Sequence, residues 1–283
     1  MNLFSGLEKF GLKSTESMQL FEDEQKDEKK GNAANNAEEK IPAETDFILE
    51  KTVHCKVCDH VFKTKVIKSG RVKRLEPDRD LRPRFQYIDT LKYDITSCPA
   101  CGYTAMNRYY EHLTPMQVKL IKEQISSNFQ PVSKEENATY DYDEVIDRYK
   151  LSLVNTVVKK GKDSEKAYTC LKIAWLLRGK AETMSDNTPE EKAAKAECQK
   201  EEEEFYQQAY EGFMKAISEE MFPMCGMEQS TVDYLLAYMA YHFKKYEIAS
   251  KFLASVLTAP SASRRMKDMA LELKEDIIAE LRK

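Results

Sequence analysis

The chain has 283 residues, 42% of them hydrophobic and 33% charged, with a formal net charge of -4. That length and apolar content suffice for a real core and about two compact units. The near-neutral balance excludes a surface that is basic throughout, while leaving room for a local basic patch. No stretch approaches the roughly 18 uninterrupted apolar residues of a membrane span.

At the N-terminus, Leu3, Phe4, Leu7 and Phe10 recur at helical spacing and predict a short amphipathic helix within residues 1–21. Glu8 and Lys9 fall where a signal peptide needs its apolar run, so export is not expected. The helix either folds back on its own domain or docks on a partner. Its polar face is not rich in Lys or Arg, which counts against a membrane surface. Residues 22–45 carry almost no large apolar side chains and predict a disordered linker, because they cannot bury enough surface to offset the entropy of ordering.

From Phe47 the pattern becomes short and strand-like: FILEKTVHC, then VFKTKVIKSGRVKRL around a Ser69-Gly70 turn, then LKYDITSC with Tyr93 and Ile95 alternating with polar residues. Residues 46–113 are therefore expected to form a small β-rich module. Within it lie two CxxC pairs, Cys55 with Cys58 and Cys98 with Cys101. A CxxC on a tight turn points two sulfurs at one centre, and two such turns complete the tetrahedral shell that zinc prefers. In the second turn Pro99 fixes the loop and Gly102 supplies the positive φ that turns backbone N–H groups toward sulfur. In the first, Asp59 stands where glycine would be, and Asp visits the left-handed region more easily than most residues.

One structural zinc on Cys55, Cys58, Cys98 and Cys101 is the expectation. A closed four-thiolate shell leaves no open position for substrate. His54 and His60 flank the first pair and are read as neighbours rather than ligands. Cys170, Cys198 and Cys225 stand alone, and an odd total of seven suits a reducing compartment better than a disulfide framework, so a cytoplasmic location is expected.

The 39 residues between Cys58 and Cys98 exceed the spacing of compact ribbons, so a hairpin or loop is inserted there. Between Lys63 and Arg84 this insertion carries nine basic residues (Lys63, Lys65, Lys68, Arg71, Lys73, Arg74, Arg79, Arg82 and Arg84) against Glu76, Asp78 and Asp80. With Phe62, Phe85 and Tyr87 nearby, such a segment could neutralise phosphates and stack bases. The alternative is a solvated hairpin in which Arg79 and Arg82 pair internally with Asp78 and Asp80.

Residues 114–283 read as helical. Thr114-Pro115-Met116-Gln117 and Thr188-Pro189-Glu190-Glu191 are capping boxes with proline at the first helical position. Helices are expected from about Tyr142 to Lys160, Ser164 to Arg178, Pro189 to Glu220, Ser230 to Lys244, Tyr246 to Thr258, and from Ser263 onward. Tyr206, Ala209, Phe213, Ala216 and Pro223 follow the second-helix pattern of a tetratricopeptide (TPR) hairpin, in which small residues let helices cross closely. Tyr246, Ala249, Leu253, Val256 and Pro260 repeat it after Leu236, Ala237 and Ala240, and Tyr142, Val145, Tyr149 and Ser152 give a looser copy. The two better copies lie 40 residues apart, with the MFPMCGMEQS loop holding the excess over the ideal repeat. The fold class is thus α+β, mainly α: a zinc-ribbon-like module followed by TPR-like helical hairpins.

CKVC, DRDLRPRF, YDITSCPACGYTA, RYKLSL and LKIAWLLR together resemble an uncharacterised bacterial family, a domain of unknown function, that joins a zinc-ribbon-like N-terminal part to a TPR-like C-terminal part. The resemblance runs from Phe47 to the end and implies metal on the two CxxC pairs, all four cysteines being present. The first knuckle often reads CPVC in that family; Lys56 here softens the turn without removing a ligand. It implies no activity.

The four histidines, His54, His60, His112 and His242, sit in no HExxH motif, and no nucleophile elbow or phosphate cradle is present, so no enzyme is expected. Cys225 reads as a free cysteine and the Glu190 to Phe205 run as the solvated face of a long helix. The expected role is a zinc-binding scaffold that takes a protein or peptide on its helices. The alternative is nucleic-acid binding through Lys63, Lys65, Lys68, Arg71, Lys73, Arg74, Arg82 and Arg84.

Overall fold

A computed structural model describes residues 41–131 and 137–282 of the chain. The expected N-terminal helix and nearly all of the expected linker lie outside these residues. By its internal contacts the chain from Pro42 onward forms one unit.

Two antiparallel hairpins open that unit. β1 (Ile48–His54) pairs with β2 (Val61–Ile67), from Ile48 opposite Ile67 to His54 opposite Val61. β3 (Ile95–Ser97) pairs with β4 (Thr104–Met106). Each hairpin is closed by one CxxC turn. The expected turn at Ser69-Gly70 is present, with Gly70 at φ 80°, but β2 pairs backwards onto β1 and not forwards onto residues 71–75. The backward pairing follows from the first knuckle, whose six-residue turn delivers β2 directly beside β1. Residues 73–86 instead fold on themselves: Arg74 bridges Phe85, the Leu75 amide donates to the Arg84 carbonyl, and the Asp78 amide donates to that of Arg82. Residues 90–93 form a single 3-10 turn that buries Leu91 and Tyr93, so the strand expected from Leu91 begins only at Ile95.

A four-residue turn, α1 (Asn107–Tyr110), leads to α2 (Pro115–Ile121), capped by Thr114 and Gln117 as the sequence requires. The body consists of α3 (Tyr142–Val158), α4 (Asp163–Thr183), α5 (Pro189–Glu219), α6 (Gln229–His242), α7 (Tyr246–Thr258) and α8 (Arg264–Leu281). Turns of three to five residues join them except between α5 and α6, and turns this short make neighbours antiparallel. The small and large residues of the repeat pattern pack as their types demand. Ala209, Phe213, Ala216, Ala249, Leu253 and Val256 are buried, as are Leu236, Ala237 and Ala240 on α6.

α4 is buried on nearly every face, so apolar residues surround its axis. Its charged residues are paired as burial requires: Lys172 meets Asp94, and Glu165 accepts from Lys159 at 2.6 Å. The large core gathers side chains from all the long helices together with Phe47, Ile48, Ile88, Leu91, Tyr93, Ile95 and Met106. The N-terminal hairpins are therefore continuous with the helical core. A second, smaller cluster surrounds the cysteines.

Candidate metal centre and the loop it spans

The two knuckles have the same backbone pattern. In the first, the Cys55 amide donates to the His60 carbonyl at 2.9 Å and the Asp59 amide to the Cys55 carbonyl at 3.1 Å. In the second, Cys98 donates to Tyr103 at 2.8 Å and Gly102 to Cys98 at 3.1 Å. Asp59 and Gly102 occupy the same left-handed position, at φ 61° and 73°. Gly102 is doubly required, since a Cβ there would also collide with the Phe129 ring.

The four sulfurs converge. Cys55 and Cys101 lie 3.6 Å apart, Cys58 and Cys98 lie 3.7 Å apart, and all four lie within 4.8 Å of one another. A tetrahedral shell with zinc–sulfur bonds of about 2.3 Å places its sulfurs about 3.8 Å apart, so these residues fit a single thiolate-bound metal. His54 and His60 remain outside the group; the His60 ring stacks on Phe62 instead. Cys55, Cys98 and Cys101 are buried, and the Val57 amide points at the Cys55 sulfur at 3.4 Å.

The electrostatics of the sulfurs favour a cation. Hydrogen bonds from Cys101 and then Cys98 pull the Cys55 thiol far below its ordinary value. Cys98 is eased by Cys101 but opposed by Cys55 and by burial, and is pushed up to about 12. Cys101 is driven higher still, first by Cys55 and then by Cys98. Crowded sulfurs share few charges among themselves, and a metal ion allows all four to ionise. Tyr110 stacks on Tyr103 with ring centroids 4.8 Å apart. Its hydroxyl lies beside Cys55 without an ideal hydrogen bond, and burial followed by the Cys55 charge raises its pKa. α3 braces the second knuckle through Asn155, whose amide donates to the Gly102 carbonyl at 3.1 Å.

The insertion between the knuckles divides its basic residues by direction. Lys63 pairs with Glu50 at 2.9 Å on the surface, Lys65 covers the Tyr140 ring at 4.8 Å, and Lys68 donates to the Asp46 carbonyl at 3.1 Å. Arg71, Lys73 and Arg74 are exposed. Arg82 and Arg84 turn inward.

Arg82 is only 2% exposed. It meets Glu182 at 3.0 Å, Asp89 at 3.6 Å and Asp78 at 3.8 Å. Arg84 forks onto Glu182 at 2.6 and 2.7 Å and reaches Asp78 at 2.7 Å. Asp80, 1% exposed, accepts from the Trp175 indole and from Arg178, both at 2.8 Å. Arg178 reaches on to Glu202 of α5 at 2.7 Å. Gly179 makes room for this clasp, because a Cβ there would lie 2.7 Å from the Arg82 guanidinium.

Farther out, Arg79 pairs with Asp276 of α8 while Tyr234 of α6 donates to its carbonyl at 3.0 Å. The internal pairing anticipated for Arg79 and Arg82 thus exists, with mostly different partners: Asp276 for one, and Glu182 and Asp89 alongside Asp78 for the other. Sequence reasoning missed Trp175, Arg178, Glu182 and Glu202. The signal available was DRDLRPRF opposite LKIAWLLR, one segment rich in alternating charge and the other holding the only tryptophan, whose N–H needs an acceptor when buried.

Fold and site together define a mainly helical protein in which two cysteine pairs, one at each end of a long insertion, converge into a group that could hold a metal ion. The chain belongs to the family described as uncharacterized protein conserved in bacteria (DUF2225), whose model matches residues 48–277. No curated protein and no solved structure matches the chain. Among the described residues no helix is long and apolar enough to cross a membrane.

Proposed function

We propose that this chain is a non-catalytic interaction protein of the cytoplasm. In this reading zinc on Cys55, Cys58, Cys98 and Cys101 secures a ribbon-like module on a TPR-like helical body, and that body takes a protein segment. The observation that carries the reading is a groove of about 390 Å³ beside the tip of the 73–86 loop, lined by Leu81, Pro83, Trp175, Leu235, Met266 and Met269. Methionine side chains reshape around unlike partners, which suits a peptide site. Alternate helices of a hairpin stack share one face, and α4, α6 and α8 all contribute to this one. The loop tip already lies on that face, with Asp80, Arg82 and Arg79 bonded to those helices.

The rim carries Arg74, while Arg265 is engaged by Glu76. The segment expected is therefore apolar with an acidic flank. The four-thiolate set supports a structural metal, because it leaves no position for water or substrate. The inward turn of Arg82 and Arg84 weighs against nucleic acid, since it removes two of the eight cations that would contact phosphate.

The test is affinity capture from native bacterial lysate, with and without nuclease, using the wild-type chain and Met266→Glu. The reading expects proteins that survive nuclease and are lost from the variant while its far-UV circular dichroism is unchanged. Captured material that disappears with nuclease, or that the variant retains in full, would overturn it.

A further inference from the structure

A second cavity, of about 380 Å³, lies where α1 meets the α3–α4 turn and the loop after α5. Neither the metal nor the proposed segment site uses it. Its lining includes Arg108, His112, Lys159, Lys160, Lys162, Glu165 and Glu220. The charges do not cancel. Lys159 and Glu165 neutralise each other in a buried pair at 2.6 Å. Glu220 is occupied as a cap on α4, accepting from the Ser164 amide at 2.9 Å and its hydroxyl at 2.5 Å.

Among the described residues no carboxylate pairs with Arg108, Lys160 or Lys162. Three cations against the one carboxylate of Glu220 leave about two positive charges at an open mouth. Such a surplus facing a cavity at the low end of the size range for small-molecule sites is the electrostatic complement of a doubly charged anion.

The backbone around the cavity is built to hold this arrangement. Lys160 ends α3 at φ 53°, in the left-handed conformation that turns the chain into α4. Cys225 and Gly226 occupy the centre of a tight turn at φ 49° and 73°, closed by Met224 and Met227. The Arg108 guanidinium lies against this turn and donates to the Cys225 carbonyl, which fixes its position. Cys225 itself is a wall of the cavity and not a nucleophile: its thiol bonds the Ser164 carbonyl at 3.2 Å, and burial pushes its pKa up. Lys160 and Cys225, two residues at positive φ on separate segments that line the cavity, are the kind of local cost that persists where a site is being shaped.

We infer that this cavity binds a small phosphate monoester, the phosphate resting among Arg108, Lys160 and Lys162 and the organic part against Tyr109, Pro223 and Met224. Phosphate suits the charge surplus better than a carboxylate does, because it brings close to two negative charges and three acceptor oxygens to three donors.

The experiment is calorimetric titration of the full chain, in phosphate-free buffer at low ionic strength, with inorganic phosphate, with glycerol 3-phosphate and with sulfate. The variants are Lys160→Gly with Lys162→Ala, and Lys73→Ala with Arg74→Ala as a control on the basic loop. Glycine is compatible with the backbone at position 160, and both lysines are exposed, so the fold should survive; circular dichroism checks this. Saturable binding is expected, tighter for the monoester than for inorganic phosphate, and weakened about tenfold or more in the first variant while the control binds as wild type. Absence of saturable monoester binding, equal affinity for all three anions, or equal weakening in both variants would overturn the proposal.

Discussion

Replacing Asp80 tests whether the buried clasp holds the insertion to the helices. Asp80→Ala removes the acceptor for the Trp175 indole and for Arg178, each at 2.8 Å. It leaves an indole N–H and part of a guanidinium buried without their partner. Breaking a buried pair from one side costs about 3 to 5 kcal/mol, because the surviving charge stays desolvated. Arg178 keeps Glu202 at 2.7 Å, so the lower part of that range applies, about 3 to 4 kcal/mol. For a unit of this size about 2 °C accompanies each kcal/mol, giving a fall in Tm of about 6 to 8 °C. Scanning calorimetry of the metal-loaded full chain reads this, and a cycle with Arg178→Ala should return a coupling of at least about 1 kcal/mol. A fall in Tm under about 2 °C, or strictly additive effects, would refute the view that this pair anchors the loop.

Glu182→Gln tests the outer half of the same clasp through pH. The hydrogen bond from Arg84 holds the Glu182 pKa below its ordinary 4.5, so its contribution is full above that value and is lost as pH falls through the lowered folded pKa. The variant should be less stable at neutral pH, and its deficit should shrink below about pH 4.5 in urea titrations; a deficit independent of pH would count against the pairing. Gly102→Ala forces a Cβ into a left-handed position at about 1 to 2 kcal/mol and against the Phe129 ring, so metal affinity should drop. Adding Phe129→Ala should restore only part of it, which a competitive zinc titration with a chromogenic chelator would read; complete restoration would show that φ is irrelevant. Stripping the metal should expose amides of residues 53–62 and 97–104 to hydrogen exchange while Leu91, Tyr93 and Ile95 stay protected in the large core. Uniform exposure of residues 47–113 would show that the metal holds the whole module.

The features legible in the sequence were those set by local chemistry. Capping boxes at Thr114 and Thr188 fixed two helix starts, glycine and Asp at the knuckles fixed two positive φ values, and the alanines at 209, 216, 237, 240 and 249 marked close helix crossings. The partner of the strand before Gly70 was not legible, because alternation gives the faces of a strand but not its partner. The clasp was less legible for a related reason. Arg84 looks like a solvated cation in a basic run, and Arg82 like a partner for the aspartates beside it, until the tertiary fold brings Glu182, 98 residues beyond Arg84, against both. Charge patterning along a chain records composition, while burial decides whether a guanidinium faces water or a carboxylate.

The metal and the clasp fasten one and the same loop, and this makes them thermodynamically linked. Of the 39 residues between Cys58 and Cys98, those between β2 and β3 have no strand pairing beyond the Arg74–Phe85 bridge. Their chain entropy must then be offset at both places, at the sulfurs and at Asp80 and Arg82. Each fastening shortens the free chain that the other must order, so each strengthens the other, and linkage requires the coupling to be reciprocal. Asp80→Ala, made 18 residues from the nearest cysteine in sequence and on no contact with the sulfurs, should therefore weaken zinc binding severalfold. In turn, the Tm penalty of that substitution should be larger in the metal-loaded chain than in the stripped one. Equal zinc affinity in wild type and variant, measured by chelator competition, would mean that the knuckles and the clasp fold as independent units.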